Sequence, residues 1–185
     1  MTRFFLLLSA ATIAAPAYSQ TISDTDAPEV VVTATRAAQP LSEIGQAVTV
    51  IDRAEIERRQ TVVVSDLLAT TPGVTVTRNG TVGALTSVRI RGAEADQTLV
   101  VIDGVRVNDP SSTGGGFNFG NLLSSSVERI EVLRGPNSVP WGSQAIGGVV
   151  NIITAAPTEG IQARANADYG YADSVFASAG VSAST

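Results

Sequence analysis

Residues 127–154, VERIEVLRGPNSVPWGSQAIGGVVNIIT, decide how the rest of the chain is read. They hold two β-prone runs, Val127–Leu133 and Val149–Thr154, separated by a long connection rich in Gly, Pro, Ser and Asn. In the first run Val127, Ile130, Val132 and Leu133 are interleaved with Glu128, Arg129, Glu131 and Arg134, which predicts one buried face and one charged face. The second run is nearly all apolar and predicts a strand covered on both faces. Gly135-Pro136 and Gly147-Gly148 supply backbone that can bend sharply or approach a neighbour closely.

The chain has 185 residues, enough for one domain, or one domain with appendages, and a hydrophobic share of 44% supports a packed core in its middle. It contains no Cys and no His, and all 12 basic residues are Arg. Without His or Cys the usual nucleophile–base pairs cannot be assembled; without Lys the P-loop and Schiff-base chemistries are gone as well. Gly142–Gly148 contains neither GxGxxG nor GxSxG, and Asp103–Asp109 lacks the ligand spacing of an EF-hand. No enzyme, catalytic residue, cofactor or metal site is therefore expected. A net charge of −5 opposes binding to a phosphate backbone, so nucleic acid is not an expected partner.

From the N-terminus, residues 1–19 place Arg3 before an apolar run and end in small residues, the layout of a cleaved secretory signal and too short for a membrane span. Residues 20–27 are polar and acidic. Glu29-Val-Val-Val-Thr-Ala34 is a β-branched segment between flexible flanks, which could be the first strand of the domain or could add to the sheet edge of a partner. Ala47–Ile51 predicts a strand, Asp52-Arg-Ala-Glu55 predicts a helix N-cap with a reciprocal Glu and a solvated polar helix through Arg59, and Val62–Ala69 holds a second helix ended by Thr71-Pro72-Gly73. Val74–Arg78 predicts a strand turning at Asn79-Gly80. Ser87–Gly92 alternates so that Arg89 and Arg91 share one side, and Thr98–Gly104 predicts a buried strand with Val105–Asn108 returning beside it. The polar, Gly-rich loop 109–119 is long enough to be functional.

After Pro157 the period changes to two. Ile161, Ala163, Ala165, Ala167 and Tyr169 alternate with polar residues, the chain reverses near Gly170–Asp173, and Val175, Ala177, Ala179, Val181 and Ala183 alternate again. Segments of about ten alternating residues are the signature of outer-membrane barrel strands. Two such strands cannot close a barrel, and open edges in lipid leave backbone groups unpaired.

Taken in order, Arg134-Gly-Pro, Trp141-Gly-Ser and Ala145-Ile-Gly-Gly-Val-Val-Asn-Ile-Ile153 resemble the end of the plug domain of TonB-dependent outer-membrane receptors, and the resemblance extends over residues 29–157. It implies an α+β plug with a small mixed sheet and short helices, followed by the first strands of an incomplete transmembrane β-barrel. The expected organisation is a signal at 1–19, a flexible N-terminus with the TonB box at 20–37, the plug at 38–156 and the start of the barrel at 157–185. The box would be Glu29, Val30, Val31, Val32, Thr33 and Ala34, pairing with the TonB energy-coupling protein. Arg91 and Arg134 would lie on the plug wall against barrel glutamates; on their own sequence they could equally reach solvent. Asn79, Gly80, Thr81, Leu85, Asn108, Asp109, Ser111, Ser112 and Phe117 would contribute to substrate-binding loops. The resemblance implies energy-coupled import of a scarce chelate across the outer membrane. Val32-Thr-Ala-Thr-Arg36, Asp103-Gly-Val-Arg-Val-Asn108 and residues 142–154 look most like the cobalamin receptors. A ferric-siderophore receptor is the alternative substrate class, and a free plug-like periplasmic binding module the alternative without transport.

Overall fold

The computed structural model describes residues 31–32, 35–109, 115–156, 160–170 and 173–184. The expected signal, the stretch 20–27, box residues Glu29, Val30, Thr33 and Ala34, and loop residues Ser111 and Ser112 lie outside them. In chain order the elements are β1 (Val31–Val32), β2 (Gln39–Pro40), β3 (Ala47–Ile51), α1 (Arg53–Arg59), α2 (Val64–Ala69), β4 (Val74–Arg78) and β5 (Thr86–Ile90). There follow β6 (Thr98–Ile102), β7 (Val105–Arg106), β8 (Val127–Arg134), α3 (Ser138–Trp141), β9 (Gly148–Thr154), β10 (Gly160–Gly170) and β11 (Ser174–Ser184).

A five-stranded sheet of order β3-β8-β9-β6-β7 organises the fold. It is mixed: β8 runs antiparallel to β3 and β9, whereas β9 runs parallel to β6. β6 turns into β7 through Asp103-Gly104, both with positive φ (49° and 83°), as a two-residue hairpin loop matched to strand twist requires. One face carries Ile130, Val132, Val150, Ile152 and Val100 against Ile56 of α1, Val64, Leu67 and Leu68 of α2, and Val88 and Ile90 of β5. The other carries Leu99, Val101, Leu133 and Val149 under Trp141 and Ala145.

Being covered on both sides has a consequence for β8. Its alternation predicted a charged face in water, yet Glu131 is 0% exposed. Its carboxylate accepts from Arg129 Nε at 2.9 Å and from Asn151 Nδ2 at 3.0 Å, Asn151 being its cross-strand neighbour on β9. A buried charge is tolerated only with such donors around it. The reading of Val149–Thr154 as a nearly all-apolar strand covered on both faces agrees with the structure: Gly148–Ile152 is buried, and only Ile153 and Thr154 at its end are half-buried.

Local rules account for the helices, with two differences. Asp52 Oδ1 accepts from Glu55 N at 2.8 Å and caps α1, but Glu55 pairs with Arg58 and Arg59 of its own helix instead of returning to the cap. Nor is α1 simply a solvated face, because Arg53 Nη1 donates to Ser125 O at 3.1 Å and Val127 O at 2.9 Å, tying the helix to the start of β8. α2 begins at Val64 and ends before Thr71-Pro72-Gly73 as its sequence predicts. β4 and β5 form a separate hairpin. β5 stops at Ile90, so Arg91 does not share a strand face with Arg89; it sits in a turn at φ 53°.

β10 and β11 pair antiparallel over their full length. Ile161 lies opposite Ala183, Ala163 opposite Val181, Ala165 opposite Ala179, Ala167 opposite Ala177 and Tyr169 opposite Val175. The alternation therefore gathers every predicted apolar position onto one face of the hairpin, where these residues are exposed.

Candidate functional site

The loops expected to meet substrate are laced together by two asparagines. Asn118 Oδ1 accepts from Thr86 N and Gly120 N, both at 3.0 Å, so one side chain closes its own turn and holds the start of β5. Gly120 presses against Ala84 so closely that a methyl group there would overlap the Ala84 carbonyl oxygen. Within the 79–85 loop, Asn79 N donates to Leu85 O at 3.0 Å and Ala84 N to Thr81 O at 3.1 Å.

Asn108 does the same for the second loop. Its Oδ1 accepts from Val100 N at 2.8 Å, and its Nδ2 donates to Thr98 O at 3.1 Å and Gly115 O at 3.5 Å. Gly115 and Gly116 lie against Asp96 and Ala95 of the turn before β6. Loops 79–85, 93–97 and 115–121 thus form one continuous surface. Of the residues expected on it, Asn79, Gly80, Thr81, Leu85 and Asp109 are exposed. Asn108 is half-buried with its amide committed to backbone, and half-buried Phe117 meets Phe119 edge-on at 4.9 Å. Both therefore support the loop more than they face outward. Asn118 and Gly120 escaped the sequence reading; the only local signal is an Asn two residues before a Gly, as in a side-chain-capped turn.

Arg91 and Arg134, 43 positions apart, converge. Arg91 N donates to Gly73 O at 2.7 Å, and Arg134 Nη1 donates to Pro72 O at 2.9 Å. A Cβ on Gly73 would sit 3.8 Å from each arginine's methylene chain, and one on Gly135 would sit 3.1 Å from Arg91 Nη1. Among the described residues no carboxylate forms an ion pair with either, and Arg134 Nε is buried without a hydrogen-bond partner. Arg53, Arg78, Arg89 and Arg129, in contrast, each have an acid within 4 Å. Two adjacent cations without an acid make a place where carboxylates supplied from outside would bind favourably.

At the N-terminal end, Val31 pairs with Pro40 and Val32 with Gln39 in a ladder apart from the main sheet. Between them Arg36, at φ 69°, lies over the ring of Trp141, its Cζ 4.6 Å from the centroid.

Residues 40–149 match the family model of the TonB-dependent receptor plug domain. The fold is similar to the alcaligin outer-membrane receptor FauA of Bordetella pertussis, with a TM-score of 0.66 and 27% identity over 80% of this chain and 25% of that one. It is similar to the siderophore receptor PirA of Pseudomonas aeruginosa, with a TM-score of 0.51 and 34% identity over 68% of this chain and 21% of that one. It is also similar to the ferric enterobactin receptor PfeA of Pseudomonas aeruginosa in complex with enterobactin, with a TM-score of 0.52 and 29% identity over 70% of this chain and 21% of that one. The chain thus spans a quarter or less of the length of these structures.

Proposed function

Because the chain belongs to the family of TonB-dependent receptor plug domains, we propose that it is the N-terminal part of an outer-membrane receptor for energy-coupled uptake of a ferric siderophore. The observation that carries this reading is the joined loop surface 79–85, 93–97 and 115–121 on a plug similar to those of structures named as an alcaligin, a siderophore and a ferric enterobactin receptor. The likeness of residues 142–154 to cobalamin receptors has no counterpart among those three, so the corrinoid takes second place. Substrate would rest on the exposed loop residues, and Glu29–Ala34 would be the box gripped by the TonB protein after export through the signal at 1–19. The exposed apolar face of β10–β11 supports a barrel beginning at 157 over a free periplasmic module, which has no use for such a face.

The test is uptake by a strain lacking the gene. Loss of labelled iron uptake from a ferric siderophore, with labelled cobalamin uptake intact, is the expected result; the opposite pattern restores the corrinoid reading. If neither uptake changes and the exported protein still binds ligand, the module without transport takes over.

On the same reading, Arg91 and Arg134 dock the plug against carboxylates of the barrel wall. Replacing both with Ala in the full-length receptor is expected to speed hydrogen exchange of plug amides roughly tenfold or more, the loss of charge-assisted hydrogen bonds. Unchanged protection would remove the docking role.

A further inference from the structure

We infer that Arg36 and Trp141 form a latch that folds the Val31–Val32 strand back on the plug, which makes both of them positioning residues for the coupling step; the role rests on the box assignment proposed above. Arg36 stands in the turn that joins β1 to β2, in the left-handed region at φ 69° that side-chain-bearing residues occupy only when something holds them there. Thr35 Oγ1 donates to Ala37 O at 2.9 Å across the same turn. The guanidinium lies 4.6 Å from the centroid of Trp141, which is 5% exposed and is the only Trp in the chain. Among the described residues no acid forms an ion pair with Arg36, so the indole face is the attraction that seats it.

The seat is rigid and the latch is not. Trp141 N donates to Asn137 O at 3.1 Å, Asn137 N donates to Ala145 O at 2.8 Å, and Asn137 Nδ2 donates to Gly135 O at 2.9 Å. Packing against Leu99, Val101, Leu133 and Val149 fixes the ring from below. Above it everything is weak. The β1–β2 ladder has two residue pairs, and Pro40 brings no N–H to it. Arg36 is exposed, and Arg106 Cζ stands 5.9 Å from the same ring, so a second cation competes for it. Arg36 also forms one wall of a cleft of about 480 Å³ with Asp103, Asn151 and Ile153, so its release would free the segment and open the cleft together. Folded back, the strand's main chain faces β2; released, it is available to an incoming sheet edge.

The test uses a full-length receptor whose only thiol is Val32→Cys, which the absence of Cys from these 185 residues makes practical. The rate of labelling by a polar maleimide is measured in substrate-free outer membranes. Arg36→Ala is expected to raise it about two- to fivefold, the effect of losing one exposed cation–π contact. Arg36→Lys should recover part of the difference, and both Arg36 variants should leave substrate affinity and hydrogen exchange at Leu99–Val101 unchanged; Trp141→Phe should fall between the wild type and Arg36→Ala in labelling rate. Capture of the C-terminal domain of the coupling protein should rise in step with labelling. Equal labelling rates in all variants would overturn the latch. Faster labelling with unchanged capture would overturn its role in coupling, and since labelling needs no coupling protein, failure of the box assignment is recognised separately, by normal uptake in a Val31→Pro receptor.

Discussion

Val31→Pro in the full-length receptor is expected to reduce energy-coupled uptake to background while leaving substrate affinity at the wild-type value. The proposed box offers its partner a short main chain and small β-branched side chains, so recognition depends on backbone hydrogen bonds. A proline at its centre removes one donor from a ladder of only a few, fixes φ near −65° and sets a ring against the neighbouring strand. Substrate affinity is spared because the exposed loop residues Asn79–Leu85 and Asp109 belong to other elements, held by Asn108 and Asn118. The same substitution also disturbs the pairing of Val31 with Pro40, so the segment is released more readily and still cannot be gripped. Val31→Ala, which keeps the N–H, is the control and should transport nearly normally. Radiolabelled uptake and equilibrium binding on the same cells check both halves; full uptake by the proline variant would take Glu29–Ala34 out of the coupling step.

Gly148→Ala is expected to destabilise the plug by about 3 kcal/mol, seen as roughly 100-fold faster hydrogen exchange at Val149–Ile153 and Leu99–Val101. Gly148 opens β9, opposite Arg134 on β8 and Thr98 on β6, where the sheet is closed on both sides. At φ 159° a methyl group on it would overlap the Leu133 carbonyl oxygen and lie 2.8 Å from Ile90 Cδ1. A flexible side chain could swing aside from such a clash, but a ladder carbonyl between two paired strands cannot. The relief must come from β8 and β9 separating, and with them the two hydrophobic clusters on either face. Unchanged exchange would mean that the Gly148–Leu133 approach is looser than described.

Much of this architecture could be read from neighbouring residues alone. The Asp52 cap, the Thr71-Pro72-Gly73 stop, the positive-φ turn at Asp103-Gly104 and the Gly147-Gly148 entry to β9 all follow from the backbone preferences of a few consecutive residues. The β10–β11 hairpin was legible for a related reason: strict alternation fixes which residues share a face before any partner strand is known. The loops proposed to meet substrate were legible as loops, yet their outward and supporting residues were not. Asn108 and Asp109 are adjacent polar residues, and only the backbone groups of Val100, Thr98 and Gly115 make the first a brace and leave the second exposed.

By itself, then, the sequence determined most of the strands, the first two helices, their turns, the absence of the side chains that most catalysis needs, and the change to a period of two after Pro157, while the short helix α3 inside the connection 135–147 escaped it. Tertiary structure alone decided the fate of the charges. Glu131 is buried because the segment carrying Trp141 and Ala145, together with Leu41 and Ile44 from the N-terminal part of the domain, covers a face that its alternation marked as charged. Arg91 meets Arg134 over Gly73, and Arg36 meets Trp141, across separations that no periodicity spans. The physical reason is one of range: torsional preference and amphipathic period act between near neighbours in sequence, whereas the burial and pairing of a charge depend on which distant segment happens to arrive beside it.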